Sequence, residues 1–398
     1  MNPVETQKAL RARFVAQFGA DPLFEISAPG RVNLIGEHID YTGGLVMPMT
    51  IQLETKALMR PNQRSEIRVF SERFSEHVIV RPHEVSRAPS GHWSDFVKGY
   101  ALVSCHRQIG AGFDLYVTSN LEMGGLSSSA SFLAVIALAN RIQTQGEASA
   151  LSLDDTERLA IALQCQQVEN EWIGVPCGIM DPSSILLGGI RQLDCQTLKS
   201  TLLPKLSDDI ALVLMDTKVP RTLASSAYKE RVRQLHAIGE MGESIGQRRL
   251  RHLATLSDDQ VSALMAALTD DTLKRRLRHV STEQRRVLRA AEALRQSDYL
   301  TLGDLMNQSH ASLRDDYEVS CEALDWITAA SREAPGSLGA RLTGAGFGGA
   351  AIALVHSRSL EAHNDSVREA FAHRSGYEPE LVTLRTGSRA EALRLDPS

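Results

Sequence analysis

Three short stretches concentrate the side chains that could do chemistry. GEHIDYTGG at residues 36–44 sets Glu37, His38 and Asp40 within four positions of a glycine-bounded loop. A loop so polar is either a solvated turn or a place where carboxylates and an imidazole meet a polar ligand. LEMGGLSSSASFLAVIALAN at residues 121–140 runs from Gly124 and Gly125 through Ser127, Ser128 and Ser129 into a long apolar segment. Glycine lets backbone approach a ligand closely, and a helix beginning at the serines would turn unpaired N–H groups toward an anion. That is the chemistry of a phosphate cradle, although a serine-capped core helix fits the same residues. GIMDP at residues 178–182 places Asp181 before a proline, where aspartate serves as a cap or turn former as readily as a functional carboxylate.

Elements must position these groups. The N-terminal residues MNPVETQKALRARF read as an amphipathic helix, and residues 24–27 as a strand ending at Pro29 and Gly30, which puts Arg31 at a bend. Residues 67–80 and 113–117 are β-branched and aromatic in strand fashion, and the second run feeds the glycine–serine loop. WSDFVKGY from Trp93 opens a helix. Residues 154–172 form a clearer one, with Glu169 and Glu171 near its end, where acids oppose the helix dipole. A strand at 210–215 follows a domain change around residues 197–209. Helices are then expected at 224–239, 248–267, 282–295, 302–313 and 322–330, and GARLTGAGFGG at 339–349 forms a second glycine-rich loop before a strand.

Composition narrows the class. The chain has 398 residues, 43% hydrophobic and 23% charged, with a formal net charge of -5. This mild acidity offers neither nucleic acid nor an anionic membrane a basic surface, so a small polar ligand is the default partner. Five scattered cysteines form no CxxC pair and leave one over, which argues against a disulfide framework or structural zinc. No run approaches the roughly 18 apolar residues of a membrane span, and the N-terminus lacks a secretion-signal core. A cytoplasmic location is expected.

Taken in order, APGRVNLIGEHIDYTGG, WSDFVKGY, GGLSSSAS, VENEWIGVPCGIMD, RTLASSAYKERVR, SHASLRDDYEVSCEALD and GARLTGAGFGG resemble the galactokinase branch of the GHMP sugar and metabolite kinases. The resemblance implies a two-lobed α/β (α+β) fold, with domains over residues 1–200 and 201–398 and an active site in the cleft between lobes. It implies transfer of the ATP γ-phosphoryl group to the anomeric hydroxyl of a sugar. On that pattern Asp181 is the catalytic carboxylate and Arg31 the arginine beside it. Glu37, His38, Asp40, Gly178 and Tyr228 would contact the sugar. Gly124, Gly125, Ser127, Ser128, Gly344 and Gly346 would contact the nucleotide, and Ser129 and Glu169 would hold Mg²⁺.

The chain departs from the family pattern in places. The loop before Ser127 lacks the usual proline, is one residue short and carries Glu122. Ile39, Thr42, Pro182 and the Gly-Ala-Gly step of the last motif also differ. Galactose is the expected substrate; the alternatives are galacturonate, N-acetylgalactosamine, or a homologue that senses sugar and nucleotide without turnover. Against a uronate stands Glu37, whose charge would oppose a substrate carboxylate.

Overall fold

A computed structural model describes residues 3–85, 88–104, 112–220, 224–244 and 252–396. Arg221 of the RTLASSAY motif, residues 248–251 of the expected helix at 248–267, and Cys105 lie outside them. Within the described residues the chain builds two sheets covered by helices.

In the first sheet the long strand Pro48–Asn62 lies between Phe24–Asn33 and Gly112–Ser119, antiparallel to both. The expected strand at 67–80 is a hairpin, Ile67–Ser71 and Glu76–Val80, whose first arm runs parallel to Gly112–Ser119. The second sheet orders Ser337–Leu342, Ala350–His356, Ile210–Asp216 and Glu380–Leu384, all antiparallel. Ile210–Asp216 is buried along its whole length, so it reads as a continuous apolar run rather than an alternation. Within and after residues 197–209 the chain passes from Ser200–Leu203, in the first sheet, to Ile210–Asp216, in the second. Strand Glu391–Arg394 then crosses back to pair with Phe24–Asn33.

Three local expectations are corrected. Arg31 is not at a bend between elements: Phe24–Asn33 is one strand whose register slips between Pro29 and Arg31. A Cβ at Gly30 would lie 2.5 Å from Leu121 Cδ2 and 2.8 Å from the Leu126 carbonyl, so only glycine lets the glycine–serine loop close on the strand there. The helix expected to reach Trp172 stops as a regular α-helix, Asp155–Gln167, and widens into a π-helical turn, Val168–Ile173, that carries Glu169. Asp154 caps it in a capping box with Glu157. Four of the expected C-terminal helices form and run longer than their apolar spacing indicates, as Ala224–Ser244, Asp271–Arg295, Tyr299–Asp315 and Glu322–Glu333. The one expected at 248–267 is corrected: its described part holds a 3₁₀ turn, Leu253–Thr255, and a shorter helix, Asp258–Ala267, started by a Ser257–Gln260 capping box. Among the described residues no helix is long and apolar enough to cross a membrane.

Candidate active site

The glycine–serine stretch becomes a loop and the helix Ser128–Gln145. Residues such as Leu133, Val135, Ile136 and Leu138 are buried on every side of it, as expected for a helix apolar all round. Its first turn is thereby fixed against the first sheet and opens toward a cleft of about 510 Å³. Ser127 precedes it in the left-handed region at φ 58° and makes no side-chain cap. Its hydroxyl instead donates to Asp181 Oδ2 at 2.5 Å.

Asp181 lies in the first turn of the helix Met180–Leu187. It receives two parallel bonds from Arg31, Nε to Oδ1 at 2.7 Å and Nη2 to Oδ2 at 2.6 Å, while Arg31 Nη1 donates to the Gly125 carbonyl at 2.6 Å. Burial pulls the Arg31 pKa down, but Asp181, Glu37 and Asp40 outweigh it and raise the pKa. Arg31 therefore stays charged, and its bonds tie the loop, the strand and the helix together.

On the opposite wall, Glu37 is 2% exposed. Its Oε1 accepts from the Gly344 N–H at 2.7 Å and the Thr343 hydroxyl at 3.2 Å, with buried Arg341 at 3.7 Å. His38 Nε2 faces the Ala345 carbonyl at 3.1 Å, so that nitrogen donates. Burial, above all, lowers its pKa to about 3 and keeps the ring neutral. Nδ1 then accepts from the Tyr41 hydroxyl at 2.9 Å, and Tyr41 accepts in turn from Tyr317 at 2.8 Å. Tyr228, from the helix Ala224–Ser244, closes this wall with its ring 5.7 Å from His38 and 5.5 Å from Tyr41.

Among the described residues no cation bonds to Asp40. Burial, then the charges of Asp181 and Glu37, push its pKa up to about 7. A Cβ at Gly178 would sit 2.0 Å from Asp40 Oδ2, so glycine is what allows the carboxylate into the site.

Glu169 is buried, and its Oε1 accepts from Ser129 at 2.9 Å and its Oε2 from the Cys177 thiol at 3.3 Å. Burial, then Asp181, raises its pKa. A buried carboxylate and a hydroxyl, both oxygen donors facing the cleft and without a cation bonded to them, fit a hard divalent ion. Among the described residues no cluster of three or more acidic, histidine or cysteine ligands is present, so most of such an ion's ligands would come from water and substrate oxygens.

The cleft thus gathers Arg31, Glu37, His38, Asp40, Gly178, Asp181 and Tyr228 with Gly124, Gly125, Ser127, Ser128, Ser129, Glu169 and Gly344. Gly346 does not line it; at φ 78° its α-carbon packs beneath the loop, where a Cβ would be 2.2 Å from the Val319 carbonyl. Gly344 spends its N–H on Glu37. Sequence reasoning passed over Thr343 and Arg341, which lie inside a motif it quoted, and Cys177, which lies beside Gly178. It also passed over His279, which donates to the Glu37 carbonyl, and Glu283, which accepts from the Gly36 N–H at 2.9 Å. An arginine and a threonine inside an apolar strand entering a glycine loop were the available signal; the two helical residues gave none.

Two layered sheets with this loop, helix and cleft define a GHMP kinase, and the N-terminal and C-terminal GHMP kinase domains match residues 95–189 and 290–373. A mevalonate kinase of the same fold superposes with a TM-score of 0.63 at 20% identity over 91% of this chain and 98% of its own. The galactokinase galactose-binding signature matches residues 12–61. The galactokinase of Bos taurus is 38% identical over 92% of this chain and 91% of its own length, and that of Roseiflexus sp. (strain RS-1) is 35% identical over 94% of each. The Lactococcus lactis galactokinase complexed with galactose superposes with a TM-score of 0.88 at 33% identity, covering 97% of this chain and 99% of that one. The chain belongs to the galactokinase family.

Proposed function

We propose that this protein transfers the γ-phosphoryl group of ATP to the anomeric hydroxyl of galactose in the cytoplasm. The observation that carries the reading is Asp181, held by Arg31 and Ser127 between the glycine–serine loop and the Glu37–Asp40 wall. Glu37, His38, Asp40 and Tyr228 bind the sugar, their acceptors and donors matched to its hydroxyls; a misplaced hydroxyl leaves a buried partner unpaired. Gly178 keeps Asp40 in reach. The resemblance to a galactokinase complexed with galactose supports galactose over the uronate and the N-acetyl sugar.

Asp181 orients the anomeric hydroxyl and accepts its proton as oxygen bonds to phosphorus. The bond from the γ-phosphorus to the β,γ-bridging oxygen breaks, and ADP leaves with that electron pair. Arg31 keeps Asp181 ionised and stabilises charge on the moving group. The backbone at Gly124 and Gly125, the hydroxyls of Ser127 and Ser128, and the helix N-terminus hold the phosphates, with Gly344 shaping the opposite wall. Beyond Ser128 and Ser129 opens an apolar cavity of about 170 Å³ lined by Phe74, Trp93, Phe96 and Phe132, which suits the flat nucleobase. Ser129 and Glu169 would hold Mg²⁺, which neutralises phosphate charge when bound.

An ADP-release assay across galactose, N-acetylgalactosamine, galacturonate, glucose and arabinose tests this. Galactose should turn over fastest. No turnover with any sugar, together with sugar-induced thermal stabilisation, would identify a sensor instead.

A further inference from the structure

We infer that Arg73 is a nucleotide-binding residue that grips the phosphate chain where it leaves the aromatic cavity, an inference resting on the kinase reading above. The cleft presents the carboxylates of Glu37, Asp40, Glu122, Glu169 and Asp181, so a polyanion entering it meets mostly like charge. Among the described residues three cations line the same space, Arg31, Arg73 and Lys229. Arg31 is committed: Nε and Nη2 bind Asp181, and Nη1 binds the Gly125 carbonyl. The stretch at residues 121–140 contributes no lysine or arginine of its own, and its Glu122 adds negative charge beside the phosphates. Lys229 lines the cleft from the helix Ala224–Ser244 but does not line the aromatic cavity.

Arg73 stands where the charge is missing. It occupies the turn between the strands Ile67–Ser71 and Glu76–Val80 and lines both the cleft and the aromatic cavity, as Ser128 and Ser129 do. A nucleotide with its base against Trp93 and its phosphates over the serines must thread past it. Its guanidinium carbon lies 5.9 Å from the Phe74 ring centroid, and among the described residues no carboxylate or carbonyl engages it. A planar guanidinium with free donors, steadied on an aromatic face, is suited to two phosphate oxygens at once. Because the turn is exposed, the contact is screened, and its strength should fall with added salt.

Calorimetric titration of the full chain with ADP and Mg²⁺, and separately with adenosine, tests the assignment. Arg73→Ala should weaken ADP about tenfold, consistent with a lost charge-assisted bond, and leave adenosine unchanged, whereas Arg73→Lys should recover part of the loss. The deficit should narrow at high salt, and KM should rise for ATP but not for galactose. Unchanged ADP affinity in Arg73→Ala, or an equal loss for adenosine, would overturn the inference while wild-type turnover left the kinase reading standing. A wild-type protein that neither binds ADP nor turns over ATP would overturn both.

Discussion

Arg31 and Asp181, 150 residues apart in sequence, meet through two bonds of 2.7 and 2.6 Å, and Ser127 adds a third at 2.5 Å. One carboxylate thereby joins the strand, the glycine–serine loop and the short helix that line the cleft. Replacing it with an amide of the same shape keeps the packing and removes the charge. Asp181→Asn is expected to lower kcat by about 10²–10⁴-fold, the usual contribution of a positioned base, while galactose still binds. Steady-state kinetics with calorimetric sugar titration measure both; a near-native rate would contradict the role.

Glu37 is braced from behind by Gly344, Thr343 and Arg341, all delivered by the strand Ser337–Leu342 and the loop after it. Glu37→Ala removes the nearer of the two carboxylates that face buried Arg341, Glu283 being the other, and should cost up to about 3–5 kcal/mol of stability. Galactose KM should rise as well. An unchanged KM in a folded variant, read beside a denaturant melt, would remove Glu37 from the sugar site.

Asp40 makes a pH-dependent contribution of unusual sign. Its folded pKa is raised to about 7 by burial and by Asp181 and Glu37, so between about pH 4, the unfolded value, and about pH 7 the folded chain holds a proton the unfolded chain has lost. Stability of the ligand-free protein on this account falls as pH rises through that window. Asp40→Asn removes the penalty, so its melting temperature relative to wild type should be higher at pH 8 than at pH 5, with sugar affinity reduced at both. A difference independent of pH would contradict the raised pKa.

Glu169→Gln keeps an acceptor for Ser129 but discards the charge a divalent ion needs. The Mg²⁺ concentration for half-maximal rate should rise at least about tenfold, and Cys177→Ser, one bond further out, should move it less. Titrating Mg²⁺ into the ADP complex by calorimetry gives the same comparison without turnover. Equal Mg²⁺ affinity in wild type and Glu169→Gln would exclude the carboxylate as a ligand.

Local features were legible where local physics governs them. The glycine–serine run announced its helix because an unbroken apolar stretch follows the serines, and the next helix was read from its apolar side. The π-helical turn at Glu169 was not legible, since one extra residue in a helix leaves little trace in the apolar spacing. Arg31 was misplaced for a related reason: Pro29 and Gly30 read as a stop, yet the strand continues because its partner Pro48–Asn62 extends past them and absorbs the bulge.

The sequence by itself determined which chemical groups the protein owns and roughly which elements bear them: a loop with Glu37, His38 and Asp40, a serine-led helix, and Asp181 just before a proline, which the structure puts inside a helix. Only the tertiary structure decided which carboxylate is neutralised. Asp181 lies against Arg31 and accepts two bonds from it, whereas Asp40, three residues after Glu37, has no cation bonded to it among the described residues and is pushed toward neutrality. The reason is that electrostatic interaction depends on distance and on exclusion of water, and both are set by contacts between residues far apart in the chain.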